Sequence, residues 1–409
     1  MMPIDFHPQL LTRRRMLGGL GGLALAAPAL AESIVKLPIP GGPDERPVVT
    51  DFPQKGAMIL QRTRPPLLET PFEVFDRGVF TPNDQFFVRW HWAVIPTAID
   101  ADKYRLTVRG QVGTALSLSL KELVEGFPAV ELAAVNQCSG NSRGLFQPRV
   151  PGAQWGNGAM GNAKWRGVRL KDVLDRAGVK PGAVQVRFKG LDQPVVDEAP
   201  TILKSLDIDH ARDGEVMIAY AMNGEQLPLL NGFPLRLIVP GWFSTYWIKM
   251  LSDIEVLDQP DDNYWMKTAY RIPDTPHADV KPGETGFKTV PINRMGPRSF
   301  ITNLKDGTVL KAGAPSLVRG IAFGGAAGVA QVDVSADGGQ SWQAAALGAD
   351  EGKYGFRQWQ AQMTLTGPGD TKLMVRCTNT EHEAQPEAAN WNPGGFMRNV
   401  IETTTVKVA

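Results

Sequence analysis

One of the two cysteines of this chain lies in the stretch Asn136-Gln137-Cys138-Ser139-Gly140-Asn141-Ser142-Arg143-Gly144. Small and turn-forming residues surround it, and because such residues neither continue a helix nor fill the core of a strand, we predict a loop that presents a sulfur atom. A thiolate is the nucleophilic and metal-binding form of cysteine, and the neighbouring Arg143 favours that charged form. Cys138 is therefore a candidate functional thiolate, or else a small buried apolar side chain, which is the more common fate of a lone cysteine.

The length and composition of the chain indicate a globular protein of two or three domains. It has 409 residues, of which 43% are hydrophobic and 21% are charged, as is usual for soluble folds. A formal net charge of +1 and the lack of a basic run in the sequence argue against nucleic acid as the main partner. The 43 glycines and 32 prolines favour loops and β-strands over long helices.

The first 31 residues have the pattern of a twin-arginine export signal. Arginines occupy positions 13–15, an apolar stretch diluted by glycine runs from 18 to 30, and positions 29–31 match a small-residue cleavage site. The apolar stretch is too short to span a bilayer. The pattern predicts cleavage after Ala31 and export to the periplasm by a route that carries proteins already folded around a cofactor. The alternative is an ordinary secretory signal, in which the arginines only supply positive charge.

The second cysteine, Cys377, lies in a strand-like run at 373–377. An oxidising compartment would favour a disulfide between the two cysteines. We place them in different domains, however, and predict that Cys377 is a core residue and that Cys138 is unpaired. Two cysteines are too few for an iron–sulfur cluster or a structural zinc site, and the sequence contains no Cys-x-x-Cys-His, so we predict no haem in this chain.

The segments 32–80 and 86–92 differ in their patterns. The first is proline-rich and weakly periodic, and we predict that it forms an extended arm over the body of the protein. The second alternates apolar and polar residues as a strand does, which places Arg89 and His91 on one face. Either these two groups meet an anion, or the strand lies at the surface with both groups solvated.

Short strands and helices follow between residues 104 and 249. The patterns predict two strands within 104–120, helices at 119–125 and 165–178, strands at 184–188 and 216–220, and a hairpin turn at 222–225. The turn 189–194 presents Asp192, and three polar residues, Asn231, Arg236 and Lys249, stand at the margins of hydrophobic strands. Fixed cations and backbone amides converge at such margins on a ligand that bears phosphate or several hydrogen-bonding edges.

The C-terminal part has a different character. A segment rich in proline, glycine and charge at 276–297 predicts a linker, and strands recur beyond it at 316–322, 329–335, 342–347, 356–365 and 372–378. This spacing predicts an immunoglobulin-like β-sandwich over residues 298–409, without the cysteine pair of true immunoglobulin domains. We expect this domain to serve packing and association rather than chemistry.

Several of these segments occur in the order found in the sulfite oxidase family of molybdenum enzymes. They are Phe87-Val88-Arg89-Trp90-His91, Cys138-Ser139-Gly140-Asn141, Phe188-Lys189-Gly190-Leu191-Asp192, Gly232-Phe233-Pro234-Leu235-Arg236, residues 264–270 and residues 332–342. Their joint occurrence is more specific than any one of them. The chain resembles that family over nearly all of its length after residue 31, and most closely the catalytic subunits of bacterial periplasmic sulfite dehydrogenases. The resemblance implies an α+β fold, with a mixed α/β molybdopterin-binding domain at 81–275 followed by the β-sandwich.

The resemblance also implies a molybdenum site. Cys138 corresponds to the thiolate ligand of the metal, a role that suits a soft ligand. Asn231 departs from the histidine of vertebrate members, and Arg271 is suggested only by its position beside the tyrosine of the site. The residues around the substrate would be Arg89, His91, Arg143 and Tyr270. The residues that would hold the pyranopterin and its phosphate are Phe87, Val88, Arg89, Trp90, His91, Cys138, Asp192, Asn231, Arg236, Trp247, Ile248 and Lys249.

The implied activity is the oxidation of sulfite to sulfate by oxygen-atom transfer at a molybdenum–oxo centre, with one molybdopterin per chain. In this hypothesis Arg89 binds the anion, Tyr270 donates a hydrogen bond, and His91 carries a proton near physiological pH. Electrons would pass singly to a c-type cytochrome, either a bound haem subunit or a soluble protein. The chain would form a homodimer or a heterodimer with that subunit.

Other interpretations stay open at this point. A relative with the same site could oxidise a sulfane sulfur on a carrier protein or reduce a sulfoxide, although the β-sandwich favours the dehydrogenases, because the sulfoxide reductases resemble the first domain alone. A non-enzymatic periplasmic binding module would leave Cys138 as an ordinary loop thiol. Tryptophans near these segments are more often core residues than cofactor contacts, and Asp207, Asp209 and Asp213 lack the spacing of a calcium loop.

Overall fold

The computed structural model describes the backbone of Gln9–Leu10 and all of residues 33–409. The predicted signal segment, 1–31, lies outside the described residues except for strand β1 (Gln9–Leu10), which pairs antiparallel with residues 98–99. No helix in the described part of the chain is both long and apolar enough to cross a membrane.

Residues 33–89 contribute a five-stranded antiparallel sheet, where the sequence predicts an extended arm. Its strands, in spatial order, are β2 (Ser33–Lys36), β3 (Glu45–Val49), β4 (Met58–Arg62), β5 (Leu67–Glu69) and β6 (Val88–Arg89). None is longer than five residues, which is too short to show a clear alternation in the sequence. The sheet bears on function because its last strand carries Arg89.

Two five-stranded sheets and four short helices follow. The elements in chain order are β7 (Ala98–Ile99), β8 (Leu106–Gly110), β9 (Leu116–Leu118), α1 (Leu120–Gly126), β10 (Ala129–Gln137), β11 (Met160–Arg169), α2 (Leu170–Ala177), β12 (Gln185–Gly190), β13 (Leu203–Asp207), α3 (Ile208–Ala211), β14 (Met217–Met222), β15 (Glu225–Gln226), β16 (Arg236–Ile238), β17 (Leu251–Leu257), α4 (Tyr264–Lys267) and β18 (Arg271–Pro273). One sheet has the order β10-β11-β14-β15 with β16 against β14, and the other has the order β13-β12-β17-β8-β9. This mixture of strands and helices confirms the predicted α+β class.

Short-range signals in the sequence account for two features of this domain. The hydroxyl of Ser119 accepts the backbone N–H of Glu122, and the Glu122 carboxylate accepts the backbone N–H of Ser119, which is the capping box that starts α1. The hairpin turn between β14 and β15 forms where predicted. Its central residues, Asn223 and Gly224, have positive φ angles of 52° and 79°, as a type I′ turn requires.

The helix predicted at 165–178 begins later, at Leu170. Residues 160–169 are instead β11, which lies between β10 and β14. Pairing with distant strands overrides the local pattern here, because Trp165 and Val168 are fully buried in the sheet. The helix ends as predicted at Gly178, whose φ of 69° is the left-handed conformation that glycine adopts readily.

Residues 298–408 form the predicted sandwich of two β-sheets. The strands from residue 289 onward are β19 (Thr289–Pro291), which pairs with β18, and then β20 (Arg298–Ile301), β21 (Val309–Leu310), β22 (Pro315–Phe323), β23 (Val329–Ser335), β24 (Gln343–Ala344), β25 (Ala346–Leu347), β26 (Arg357–Thr364), β27 (Gly369–Asn379) and β28 (Glu402–Val408). The sheet orders are β20-β22-β26-β25 and β21-β28-β27-β23-β24. Cys377 is a fully buried core residue, as predicted, and burial raises its pKa to about 12.

The sandwich packs against the rest of the chain. The rings of Phe75 and Phe356 meet edge to face with centroids 5.8 Å apart, and Arg319 donates to both carboxylate oxygens of Asp76. One loop of the sandwich, around residues 393–396, lines the mouth of the candidate site. The second domain therefore helps to shape that mouth.

Candidate active site

Two adjoining cavities meet at Cys138. The inner cavity contains about 780 Å³ of empty space, and the outer cavity, which opens at the surface, contains about 2100 Å³. Every residue predicted to hold the cofactor lies in the wall of the inner cavity except Val88, which is buried in the hydrophobic core. The residues common to both walls are Arg89, His91, Cys138, Trp265 and Tyr270.

The loop that carries Cys138 is fixed by backbone contacts. It leaves the end of β10, and the Cys138 N–H donates to the carbonyl of Ala159 at 2.9 Å. The Asn141 side chain in turn accepts the N–H of Ala159 at 2.9 Å. The φ of Ser142 is 66°, a conformation that is uncommon outside glycine and persists only where its surroundings enforce it. The thiol of Cys138, which is unpaired as predicted and 7% exposed, therefore faces the cavities from a fixed backbone.

Arg89 and His91 lie together, although the strand predicted at 86–92 forms only at Val88–Arg89 and His91 follows it. Arg89 Nη1 is 2.9 Å from His91 Nδ1, and because a guanidinium can only donate, Nδ1 accepts and His91 is neutral. Burial and the positive charge of Arg89 lower the pKa of His91 to about 3. This geometry does not support the predicted titration of His91 near neutral pH, and the imidazole instead orients Arg89. Both side chains are partly buried, which excludes the solvated surface strand.

Positive charge exceeds negative charge in the wall of the inner cavity. Four cations and one carboxylate line it, namely Arg89, Lys204, Arg236, Lys249 and Asp192. Lys249 Nζ donates to the carbonyl of Arg89 at 2.9 Å, and burial together with the charge of Arg236 lowers the pKa of Lys249 to about 7. Burial also lowers the pKa of Arg236 to about 9. Such a desolvated cluster of cations favours an anionic ligand.

Asn231 orients the cavity wall through its side-chain amide. Its Nδ2 donates to the carbonyl of Phe87 at 3.1 Å, and its Oδ1 accepts from the buried ammonium of Lys55. Its backbone carbonyl accepts from Arg236 Nη1 at 3.0 Å. Because the protein occupies both ends of the amide, Asn231 positions its neighbours. Sequence reasoning missed Lys55 and Lys204, since an isolated lysine carries no pattern that marks it as buried.

Tyr270 lies between the two cavities in a strained backbone conformation, with a φ of 55°. Its ring stacks on Phe396 with centroids 5.4 Å apart, and Arg89 Cζ is 5.9 Å from its centroid. Burial raises the pKa of Tyr270, so its hydroxyl keeps its proton and remains a donor. Behind it, Lys204 is 1% exposed and donates to the carbonyl of Trp265 at 2.8 Å, which ties down the segment that leads to Tyr270.

Of the two remaining arginines, Arg143 lies at the site and Arg271 does not. Arg143 lines the outer cavity with Cys138. Its Nε and Nη2 donate to the carbonyls of Gly395 and Gly394 at 3.1 and 3.3 Å, so it holds the loop of the second domain at the mouth. Arg271 lines neither cavity and donates to the hydroxyl and carbonyl of Thr289, which means that its adjacency in sequence does not bring it to the site.

The inner cavity fits a polar, anionic group that brings its own metal ligands. Ser139 Oγ and Arg236 Nε belong to residues that line it and are buried without partners, and a ligand with several hydrogen-bonding edges would satisfy them. Within residues 33–409, no cluster of three or more histidine, cysteine, aspartate or glutamate side chains could hold a metal ion. A metal bound at Cys138 would therefore take its other ligands from a cofactor. A molybdopterin meets these requirements.

Comparisons with known proteins cover both domains. Residues 92–265 match the family model of the oxidoreductase molybdopterin binding domain, and residues 289–408 match that of the Mo-co oxidoreductase dimerisation domain. The mitochondrial sulfite oxidase of Macaca fascicularis is 34% identical over 89% of this chain and 68% of that protein. The sulfite oxidase of Gallus gallus is 31% identical over 89% of this chain and 80% of that protein.

Structural similarity agrees with these matches. The crystal structure of the sulfane dehydrogenase SoxCD from Paracoccus pantotrophus resembles this chain with a TM-score of 0.69 and 25% identity, over 84% of each chain. The resemblance that the sequence motifs indicate is thus confirmed at the level of the fold and the cofactor-binding domain. The chain belongs to the sulfite oxidase family of molybdopterin-dependent oxidoreductases.

Proposed function

We propose that this protein is a periplasmic sulfite dehydrogenase that oxidises sulfite to sulfate and passes the electrons singly to a c-type cytochrome. The observation that carries the proposal is the junction at Cys138, where a thiol stands between a cationic chamber and an open mouth. When bound, the molybdenum cofactor supplies the oxygen-atom transfer and takes up the two electrons that sulfite loses. The export pattern at residues 1–31 supports the periplasmic location.

Arg89 would bind the substrate anion. Sulfite is a small anion, and a guanidinium offers it a permanent charge and a planar pair of donors. The contact with His91 Nδ1 holds one Nη of Arg89, which fixes the direction of the other donors. The rings of Trp92 and Trp265 pack against His91 with centroids 5.0 and 4.4 Å away, which holds the imidazole in place.

Tyr270 and Arg143 would complete the substrate side. The protonated phenol of Tyr270 donates a hydrogen bond to an oxygen of the substrate, because its raised pKa prevents ionisation at working pH. Arg143 adds a second positive charge at the mouth, and its fixed contacts with Gly394 and Gly395 keep the mouth in shape. The cofactor itself would be held by Arg236, Lys249 and Asp192 in the inner cavity.

The electron acceptor would dock beside the mouth. Tyr264 lines the outer cavity, and Val94 pairs with Gln193, which lies close in sequence to two further exposed valines. We infer that these side chains form the docking patch; they are Val94, Val195, Val196 and Tyr264, which are 43%, 55%, 55% and 47% exposed. We predict that Tyr264→Asp raises the KM for cytochrome c while turnover with a small inorganic acceptor stays unchanged. An equal loss with both acceptors would contradict docking at this patch.

The reaction is tested by assaying the purified, molybdenum-loaded protein with sulfite and cytochrome c. Sulfite-dependent reduction of the cytochrome, with about one molybdenum per chain by elemental analysis, is expected for this family. A protein that contains molybdenum but does not oxidise sulfite would exclude sulfite as the substrate. The absence of molybdenum would favour the non-enzymatic binding module. The location is tested by fractionating cells that produce the wild type or a variant with Arg13→Lys, Arg14→Lys and Arg15→Lys. We expect the wild type in the periplasmic fraction and the variant retained in the cytoplasm.

The oxidation of a carrier-bound sulfane sulfur is a second candidate. The outer cavity opens at the surface and is lined by residues of both domains, so a substrate tethered to a carrier protein could reach Cys138 from outside. The structural similarity to a sulfane dehydrogenase supports the same possibility. Side-by-side assays with sulfite and with a persulfide-bearing peptide distinguish the two candidates, because a higher kcat/KM for the peptide would replace the first proposal.

A further inference from the structure

A third cavity lies between the two domains, next to the Cys138 loop but separate from the site described above. It contains about 910 Å³ of empty space, including its opening to solvent. Gln137, which precedes Cys138, contributes one wall, and Arg298, Asn390 and Arg398 from the sandwich contribute the other. None of its lining residues lines the inner or outer active-site cavity.

Unpartnered polar atoms concentrate in this interdomain cavity. They are Arg298 Nε and Nη1, Arg398 Nε, Asn390 Nδ2, Gln137 Oε1 and Asn399 Oδ1. Arg298 is only 2% exposed, Gln137 3% and Asn390 4%. Polar groups at this depth almost always have a hydrogen-bond partner, and four of the six unpartnered atoms are donors. The cavity is therefore built to hold a ligand that mainly accepts hydrogen bonds.

The charge of the buried end distinguishes an anion from water. Arg298 Nη2 and Arg398 Nη1 both donate to Glu402 Oε1, at 2.7 and 3.3 Å. Two guanidinium groups thus share one carboxylate, and one positive charge is left over. The ring of Phe300, 4.6 Å from Arg298 Cζ, offsets part of that charge through a cation–π contact. Water could satisfy the free donors, but it could not neutralise a buried charge.

The outer end of the cavity does not cancel this excess. Its charged or titratable residues are His277, Arg294, Glu381 and Glu383, and all four are exposed. Arg294 offsets one of the two carboxylates, and the negative charge that remains lies at an exposed surface, where salt screens it. The excess positive charge therefore belongs to the buried end, where Arg298 and Arg398 meet.

We propose that the interdomain cavity binds a small oxyanion of the sulfate or phosphate class, held by Arg298, Arg398 and Asn390. Such an anion presents several acceptor oxygens to arginine groups and forms strong charge-assisted hydrogen bonds with them. Hydrogen phosphate, unlike sulfate, would also present a protonated oxygen that donates to Gln137 Oε1. This site is independent of the reaction proposed above, since it uses none of the residues assigned to that reaction.

Occupancy of this site would stabilise the loop that presents Cys138. Arg298 Nη2 also lies 3.1 Å from Ser142 Oγ, and the Met397 N–H donates to the carbonyl of Ser139 at 2.9 Å. Both contacts join the sandwich to the Cys138 loop. An anion that binds the folded protein and not the unfolded chain raises the unfolding temperature with its concentration, and here it would do so by joining the two domains.

The first test uses crystals of the molybdenum-loaded protein soaked in selenate, an anomalous scatterer that mimics sulfate. The expected result is a selenium peak in the interdomain cavity, placed so that selenate oxygens lie within hydrogen-bond distance of Arg298 and Arg398. A cavity that holds only water, or a peak confined to the active-site cavities, would overturn the proposal. This measurement needs no variant, so it does not depend on the folding of a mutant.

The second test measures thermal unfolding with increasing sulfate or phosphate. We expect a rise in Tm that saturates with anion concentration. In Arg398→Gln, the anion concentration that gives half of the maximal rise should be more than tenfold higher than in the wild type. Arg376→Gln is the matched control, because Arg376 pairs with Asp333 on the sandwich and lies outside the cavity. Whichever of sulfate and phosphate saturates at lower concentration identifies the preferred anion. An anion response that is the same in Arg398→Gln and in the wild type would contradict the proposal.

Discussion

Replacing Arg89 with glutamine removes the cation that we assign to substrate binding and retains a polar side chain. A hydrogen bond to a charged group contributes about 1.5–3 kcal/mol, and about 1.4 kcal/mol corresponds to a factor of ten. The loss of one such contact to sulfite therefore predicts a rise in KM of about 10- to 150-fold. Because Arg89 contacts the anion before the reaction, we expect the effect mainly on KM rather than on kcat.

The same substitution changes the ionisation of His91. The charge of Arg89 is the second cause, after burial, of the low pKa of His91, which is about 3. Removing that charge raises the pKa, so the imidazole binds a proton at a higher pH than in the wild type. The pH profile of kcat/KM for Arg89→Gln should accordingly gain an ionisation on its acidic side that the wild type lacks.

Both effects are measured by steady-state kinetics with sulfite and cytochrome c across a range of pH. Arg62→Gln is the control, since Arg62 lines the same outer cavity but is exposed, and an exposed charge contributes about 0.2–1 kcal/mol, or less than about fivefold. An unchanged KM in Arg89→Gln, or an equal change in the two variants, would refute the assignment of Arg89 as the anion-binding residue.

Two buried lysines give further predictions. Burial lowers the pKa of Lys55 from 10.5 to about 7, so between these pH values the unfolded chain holds more protons than the folded protein, and the unfolding free energy rises with pH by up to about 1.4 kcal/mol per unit. The unfolding free energy of the wild type minus that of Lys55→Met should therefore grow from pH 7 to pH 9. A constant difference in denaturant titrations at these pH values would contradict this. Burial lowers the pKa of Lys204 to about 7 in the same way. Lys204→Met should reduce kcat/KM about tenfold at pH 6, where Lys204 is charged, and less than about twofold at pH 9, and an equal reduction at both pH values would exclude a role for that charge.

Local signals predicted those parts of the fold that depend on neighbours in sequence. The strand at 329–335 has the predicted bounds, because its alternating residues pack in one sandwich core. The start of α1 follows from a capping box that spans only Ser119 to Glu122. The helix predicted from residue 165 failed over its first five residues, since β10 and β14 recruit that segment into a sheet. Pairing between distant strands leaves no mark in the paired segment itself.

In the candidate site, too, local patterns predicted some residues, whereas others depend on contacts between distant parts of the chain. Cys138, Arg89 and His91 were found because glycine-rich and alternating patterns surround them, and the structure brings them together. Lys55 and Lys204 were missed because their importance comes from burial beside Asn231 and Trp265, which are 176 and 61 residues away in sequence. Spacing within a segment cannot reveal contacts of that range.

The central claim is that the thiolate of Cys138 binds the molybdenum of the cofactor. X-ray absorption at the molybdenum edge tests it most directly, by counting sulfur ligands in the wild type and in Cys138→Ser after cofactor loading. We expect one fewer sulfur ligand in Cys138→Ser, together with loss of sulfite turnover and an unchanged fold. An identical number of sulfur ligands in the two proteins would contradict it.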